Sequence, residues 1–381
     1  MRTATTIEAS GGSWQETVDF VTEAERLGMD ICWVAEAWGS DAPSPLGYLA
    51  ARTHRLLLGS GIIQLATRSP VVIARTAITL SQISQGRFLL GLGPSGPQVI
   101  EGLHGVPFAR PLSRMRETVE IIRQATTGEK ITYSGREFQI PLPGGEGKPM
   151  RLSTRAEHDI PIYLATLSPK MLHLTGEVAD GWLGTSFVPE GAKEAYFDHL
   201  DAGLAAAGRS RTELDICQGA EVNFAEDEEH LRALIAPRKK ELAFSLGGMG
   251  SGSTNFYNDA YSRQGWADVA TAVRERWQSG DREGAADLVT DDMVLGTTLI
   301  GTEQMVRDRL RIWRDAAVDT VRFYPAGDTL EARLTTLGRA IDLVRAIEDE
   351  DEGEDEGEDE GEDEGEGEGE DRARPRQKAG E

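Results

Sequence analysis

Glu36 is the first residue placed to do chemistry. It closes an apolar run of strand length, Ile31 to Glu36, and precedes Ala37 and Trp38. A carboxyl at the end of a buried strand can act as a general acid or base when burial raises its pKa. A solvated or structural glutamate is the other reading. A second candidate is Ala165-Thr166-Leu167-Ser168-Pro169-Lys170, between a strand-like run and a helix-like one. Ser168 suits an N-cap and Pro169 a first helical position, so free N–H groups there could receive an anion, with Lys170 adding charge. Third, Gly59-Ser60-Gly61-Ile62 lies inside a strand-like run, Leu56 to Gln64. Glycine in a strand marks either a bulge or a close approach of a ligand to the backbone.

Gly91-Leu92-Gly93-Pro94-Ser95-Gly96 matches a dinucleotide fingerprint, but its setting does not. That motif belongs in the first strand–helix turn and opens directly into a helix. Here three strands precede it, and Pro94 and Pro97 interrupt the turn. The six histidines show no metal spacing, and only His104 falls near the presumed site. No metal is expected. Cys32 and Cys217 are too few for a disulfide framework and read as buried core thiols.

Alternating strand and helix patterns must position these residues. Strands are expected at Ala4 to Ala9, Ile31 to Glu36, Leu56 to Gln64, Phe88 to Gly93, Ile160 to Ala165, Trp182 to Ser186, Leu214 to Phe224 and Val318 to Tyr324. Helical patterns separate them. Eight such units close most simply into an α/β (β/α)₈ TIM barrel over residues 1–347, with a doubly wound sheet as the competing layout. Two segments break the rhythm, Thr127 to Asp159 and Ala225 to Leu288. Both are expected as insertions over the C-terminal ends of the strands. The second contains a glycine-rich run, Gly247 to Gly252, that reads as a lid or a plain surface loop.

The net charge of −24 is concentrated at one end. Between Glu348 and Asp371 stand 18 acidic residues and no basic one, leaving about −6 for the rest. Residues 348–381 read as a disordered acidic low-complexity tail. No basic footprint for nucleic acid is present. No 18-residue apolar run and no basic-then-apolar N-terminal segment appears, so neither a membrane span nor secretion is expected, and the protein is placed in the cytoplasm.

The segment Leu80 to Gly93 (LSQISQGRFLLGLG) resembles the hallmark segment of the luciferase-like superfamily. Leu174 to Trp182 (LTGEVADGW) resembles its second one. Trp33-Val34-Ala35-Glu36, Ala51-Arg52-Thr53 and Leu58 to Ile62 fit the same pattern in order. Gly93 to Gly102 is similar to the branch that uses the deazaflavin coenzyme F420. The resemblance implies a barrel with a cis, non-proline bond at Gly61–Ile62, behind the deazaflavin ring. It implies cofactor contacts at Gly61, Ile62, Gln64, Thr166, Leu167, Ser168 and Lys170, with the phosphate at the turn from Leu167 to Lys170. Members of the family often form dimers, so a homodimer is one outcome, and the sequence itself leaves the oligomeric state open.

The sugar-phosphate dehydrogenases of that branch carry an Asp-His pair where this chain has Glu36-Ala37. Their reaction therefore does not transfer, and Glu36 stands as the candidate proton relay. The expected activity is hydride transfer between F420 and a small organic substrate. An FMN-dependent monooxygenase is the rival enzyme, and a non-catalytic flavin or deazaflavin binder the rival of another class.

Overall fold

The computed structural model describes residues 1–7, 13–37, 39–250 and 254–362, with only the backbone described from 351 onward. Ala9, Trp38, Ser251 and Gly252, which figure in the sequence expectations, lie outside the described residues.

Eight parallel strands close into a barrel. They are β1 (Arg2–Ile7), β2 (Ile31–Val34), β3 (Leu57–Ser60, resuming at Ile63–Gln64), β4 (Phe88–Gly93), β5 (Ile162–Leu164), β6 (Gly181–Leu183), β7 (Asp215–Phe224) and β8 (Thr320–Pro325). The strands pair in chain order, and β8 returns to β1 with Thr3 opposite Val321. The third strand is not continuous as expected. It breaks at Gly61–Ile62, whose peptide bond is cis, as the resemblance implied. One short strand of this sheet escaped the sequence reading. Leu299–Gly301 pairs with the end of β7, and three residues are too few to show a period.

The helices form because each presents an apolar stripe to this sheet. Trp14–Leu27 buries Val18, Phe20, Val21 and Ala24, then stops at Gly28, whose φ of 94° a side chain would resist. Pro70–Ile83 and Pro169–Val178 each begin with proline, where a missing N–H costs nothing.

The barrel interior is packed rather than open. Trp33 fills its centre and meets Tyr163 edge-on at 5.0 Å. A Cβ at Gly59 would lie 2.3 Å from Trp33 Cε3, so this glycine makes room for the indole, not for a ligand. At the bottom, Asp215 takes an ion pair from Arg2 at 2.6 Å and hydrogen bonds from Tyr163 at 2.7 Å and Thr320 at 3.0 Å. Cys32 and Cys217 are buried in apolar surroundings, and burial pushes both thiols up to about 12.

The two inserts fall on opposite faces. Residues 225–288 follow β7 and form helices over the strand C-terminal ends, with their own small core around Leu242, Leu246, Val273 and Met293. Residues 127–159 do not lie there, which corrects the expectation for that segment. They join the end of a helix, Pro111–Thr126, to the start of β5, and such a link must lie at the N-terminal end of the barrel. They form a small hairpin, Tyr133–Ser134 with Gln139–Ile140. The buried carboxylate of Glu117 holds it, accepting from the N–H groups of Arg136, Glu137 and Phe138 at 2.8–2.9 Å.

The last helix, Leu330–Glu362, packs against Trp14–Leu27 and runs on into the acidic segment. Glu350 is held there by Arg307 and Arg311. The remainder of the expected tail, 363–381, lies outside the described residues. Among the described residues, no helix is long and apolar enough to cross a membrane.

Candidate cofactor and active site

A cavity of about 450 Å³ opens at the C-terminal ends of the strands. Its floor comes from residues at or just beyond five strand ends: Ala35, Gly61 with Ile62, Gly93, Ala165 and Leu183. Four of these side chains are no larger than a methyl group, so the floor is a slot that a flat ring can enter closely. The segment Pro94–Val99 forms one wall, and the second insert brings Phe244, Met249, Phe256 and Tyr257 over the top.

Seven of the residues expected at the site line this one cavity: Glu36, Gly61, Ile62, Gln64, Thr166, Leu167 and Ser168. Lys170 does not. It is exposed and faces a separate hollow on the outer side of its helix. His104 is exposed and away from the cavity.

Gln64 supplies the most informative atom. The residue is only 1% exposed. Its Nε2 donates to the carbonyl oxygens of Glu36 at 3.2 Å and Ala37 at 3.0 Å. A flipped amide would set oxygen against two carbonyl oxygens, so the orientation is fixed. Its Oε1 is then left buried with no partner among the described residues. A buried acceptor without a donor is costly unless a ligand supplies one. An N–H on a heterocyclic ring in the slot would do so.

Thr166 anchors the neighbouring turn. Its carbonyl accepts from Trp182 Nε1 at 2.9 Å. Its hydroxyl lies 2.8 Å from that of Thr175, which already donates to the Met171 carbonyl, so Thr166 must be the donor of the pair. Its proton is thus committed, and only its acceptor lone pairs are left. Ser168 stands at the N-cap position, yet its hydroxyl makes no capping bond and remains available in the cavity. Arg263, from the second insert, donates to the Leu167 carbonyl at 2.6 Å. No local signal marks Arg263, because it lies nearly a hundred residues beyond the turn it secures.

Glu36, read from the sequence as either an acid–base group or a structural glutamate, is held by several partners. Arg68 grips both carboxylate oxygens, with Nη2 2.9 Å from Oε2. Oε2 also accepts from the Ala42 N–H at 3.0 Å. A bidentate fork of this kind fixes geometry and engages both carboxylate oxygens. Tyr257 offers the contrast. Its hydroxyl has no hydrogen-bond partner among the described residues. Burial, and secondarily Tyr324, raise its pKa above the ordinary phenol value, so it keeps its proton.

Residues 1–320 match the family model described as luciferase-like monooxygenase. The chain belongs to the luciferase-like monooxygenase family. Among the relatives of this luciferase-like protein is a putative coenzyme F420-dependent oxidoreductase of Mycobacterium tuberculosis. The two are 38% identical over 327 residues, covering 84% of this chain and 93% of the relative. A 5,10-methylenetetrahydromethanopterin reductase of Archaeoglobus fulgidus is 31% identical over the same shares, 84% and 93%. The structure of the coenzyme F420-dependent tetrahydromethanopterin reductase of Methanopyrus kandleri has the same fold, with a TM-score of 0.73 and 24% identity. It is matched over 88% of this chain and 97% of its own. Among the described residues, no cluster of side chains in this luciferase-like protein could hold a metal ion.

Proposed function

We propose that this luciferase-like protein is a coenzyme F420-dependent oxidoreductase. It moves a hydride between the deazaflavin and an electron-poor bond of a small organic substrate. The observation that carries this reading is the side-chain-poor slot over Gly61–Ile62, with the unpartnered Gln64 Oε1 at its edge. When bound, the cofactor supplies the carbon that carries the hydride.

The chain's own residues do the rest. Gly61 and Ile62 support one face of the ring, and Gln64 accepts a ring N–H. The turn Thr166 to Ser168 receives the phosphate, held in place by Trp182, Thr175 and Arg263. Phe244, Met249 and Phe256 exclude water from the reacting face, which strengthens every polar contact inside. Tyr257 gives or takes the proton at the substrate heteroatom. Glu36 holds Arg68 and Ala42 at the rim and so acts by positioning.

The relatives named above, described as F420-dependent or as a methanopterin reductase, support the choice of cofactor. In this reading the enzyme acts in the cytoplasm as a homodimer. The contact would lie on the helices Pro43–Ala50 and Pro70–Ile83, where Tyr48, Val72 and Ile83 stand 49%, 44% and 50% exposed. Turnover of reduced F420 with carbonyl, imine and enone acceptors, with oxygen consumption followed in parallel, tests the reading. Acceptor-dependent oxidation without oxygen uptake supports it. FMN-dependent oxygen uptake would move it to a monooxygenase.

A further inference from the structure

The cavity over Gly61–Ile62 is almost without charge. Among the described residues, no lysine, arginine or histidine lines it. Its one charged lining residue is Glu36, and Arg68 engages both of that carboxylate's oxygens, so the pair adds no net charge. Arg263 donates to the Leu167 carbonyl and Lys170 faces the outer hollow, so neither enters. The walls are instead apolar: Val99, Phe108, Leu183, Phe244, Met249 and Phe256.

The wall from the second insert is held from behind. The Phe244 ring meets Trp277 at 5.8 Å. A Cβ on Gly247 would lie 2.4 Å from Trp277 Cβ, and one on Gly248 would lie 2.7 Å from Phe244 Cδ2. The two glycines therefore let the backbone close onto these rings. Asn255 Nδ2 ties the same segment down, donating to the carbonyls of Ser245 at 2.9 Å and Leu246 at 3.0 Å. Phe244 is nevertheless 48% exposed. An apolar ligand that covers it removes that surface from water.

We propose that the substrate is an uncharged carbonyl compound with an apolar body, and that this cavity refuses anionic acceptors such as phosphorylated or carboxylated ones. The inference rests on the F420 reading of the slot and names the substrate class for it. A charge buried here would find no counter-charge, whereas a neutral carbonyl needs only the Tyr257 hydroxyl. In the reaction the carbonyl carbon takes a hydride from the reduced deazaflavin and the oxygen takes the Tyr257 proton. The π pair of the carbonyl becomes the O–H bond. The ketone becomes an alcohol, the deazaflavin is oxidised by one electron pair, and the phenolate regains its proton from water.

The test is calorimetric binding to the full-length protein loaded with oxidised F420, where no hydride can move. The probes are a medium-chain methyl ketone, the keto acid of the same chain length with its carboxylate at the far end, and the methyl ester of that acid. The ketone and the ester should bind alike, and the keto acid on the order of a hundredfold more weakly at neutral pH. Phe244→Lys should narrow that gap several-fold through a charge pair at the rim, while Phe244→Leu should keep it. Equal or tighter binding of the keto acid by the wild type would overturn the substrate class and leave the deazaflavin reading standing. Failure of F420 to load the protein would overturn that reading, and the hydride transfer to the ketone with it.

Discussion

A Cβ on Gly93 would lie 2.9 Å from Cδ1 of Ile62. The glycine at the end of β4 and the residue after the cis bond in β3 thus share one small space at the floor of the cavity. The fingerprint-like run around Gly93 exists for this fit and not for a Rossmann turn. Gly91 is equally constrained, since a Cβ there would meet the Ser60 carbonyl oxygen at 1.9 Å. Gly96, in the same run, has nothing within 4 Å of its would-be Cβ.

Gly93→Ala should therefore displace Ile62 and raise the dissociation constant of the cofactor. Overpacking of this kind costs about 1–3 kcal/mol of stability. Gly96→Ala should leave both properties within error of the wild type. Urea denaturation and a binding titration on the two variants check the contrast. Equal behaviour of the pair would contradict it.

Tyr257→Phe should lower kcat on the order of a hundredfold, the usual worth of a positioned proton donor, with cofactor affinity unchanged. The pH profile adds a sign. The donor form exists below the phenol pKa and is lost as pH rises through it. That pKa is raised, so the rate of substrate reduction should not fall on this account until above about pH 10. A kcat that survives the substitution would remove Tyr257 from the mechanism.

Glu36→Gln should behave differently. It leaves Arg68 half-buried with a neutral partner, and the loss of a charged hydrogen-bonded pair costs about 1–3 kcal/mol. Turnover should fall through displacement of the rim, while the pH dependence keeps its shape. A pH profile that loses one limb in this variant would restore Glu36 as the proton relay.

Glu25 offers a stability test remote from the site. Burial alone would raise its pKa. The backbone N–H groups of Arg55, Leu56 and His54, at 2.6–2.8 Å, together with the charge of Arg55, outweigh that and hold it below the ordinary value. A lowered carboxyl pKa stabilises the fold above the unfolded value, near 4.3, and the benefit is lost as pH falls through the folded value. Glu25→Gln should be about 1–3 kcal/mol less stable than the wild type at pH 7. The gap should narrow steadily below about pH 4. Chemical denaturation across this range would show it.

The barrel was legible because its strands are continuous apolar runs divided by helical periods, as in Phe88 to Gly93. The cis bond at Gly61–Ile62 and the contacts expected at Gln64 and Ser168 came from the resemblance. The partners of these residues were not legible. Arg68 reaches Glu36 from 32 positions away, and Arg263 reaches Leu167 from 96. Pairing across such separations leaves no local pattern. Gly59 looked like Gly61 in the sequence, and only the position of the Trp33 ring distinguishes them. The face taken by each insert depended on whether it followed a strand or a helix. For Thr127 to Asp159 the preceding helix already held that answer.

The central claim is that the slot over Gly61–Ile62 holds a deazaflavin. The most direct measurement is a fluorescence titration of the purified protein with F420 and, in parallel, with FMN. Saturable F420 binding that weakens in Gln64→Leu, with no comparable binding of FMN, is the predicted result. Selective binding of FMN, or F420 binding indifferent to the loss of the Gln64 acceptor, would contradict it.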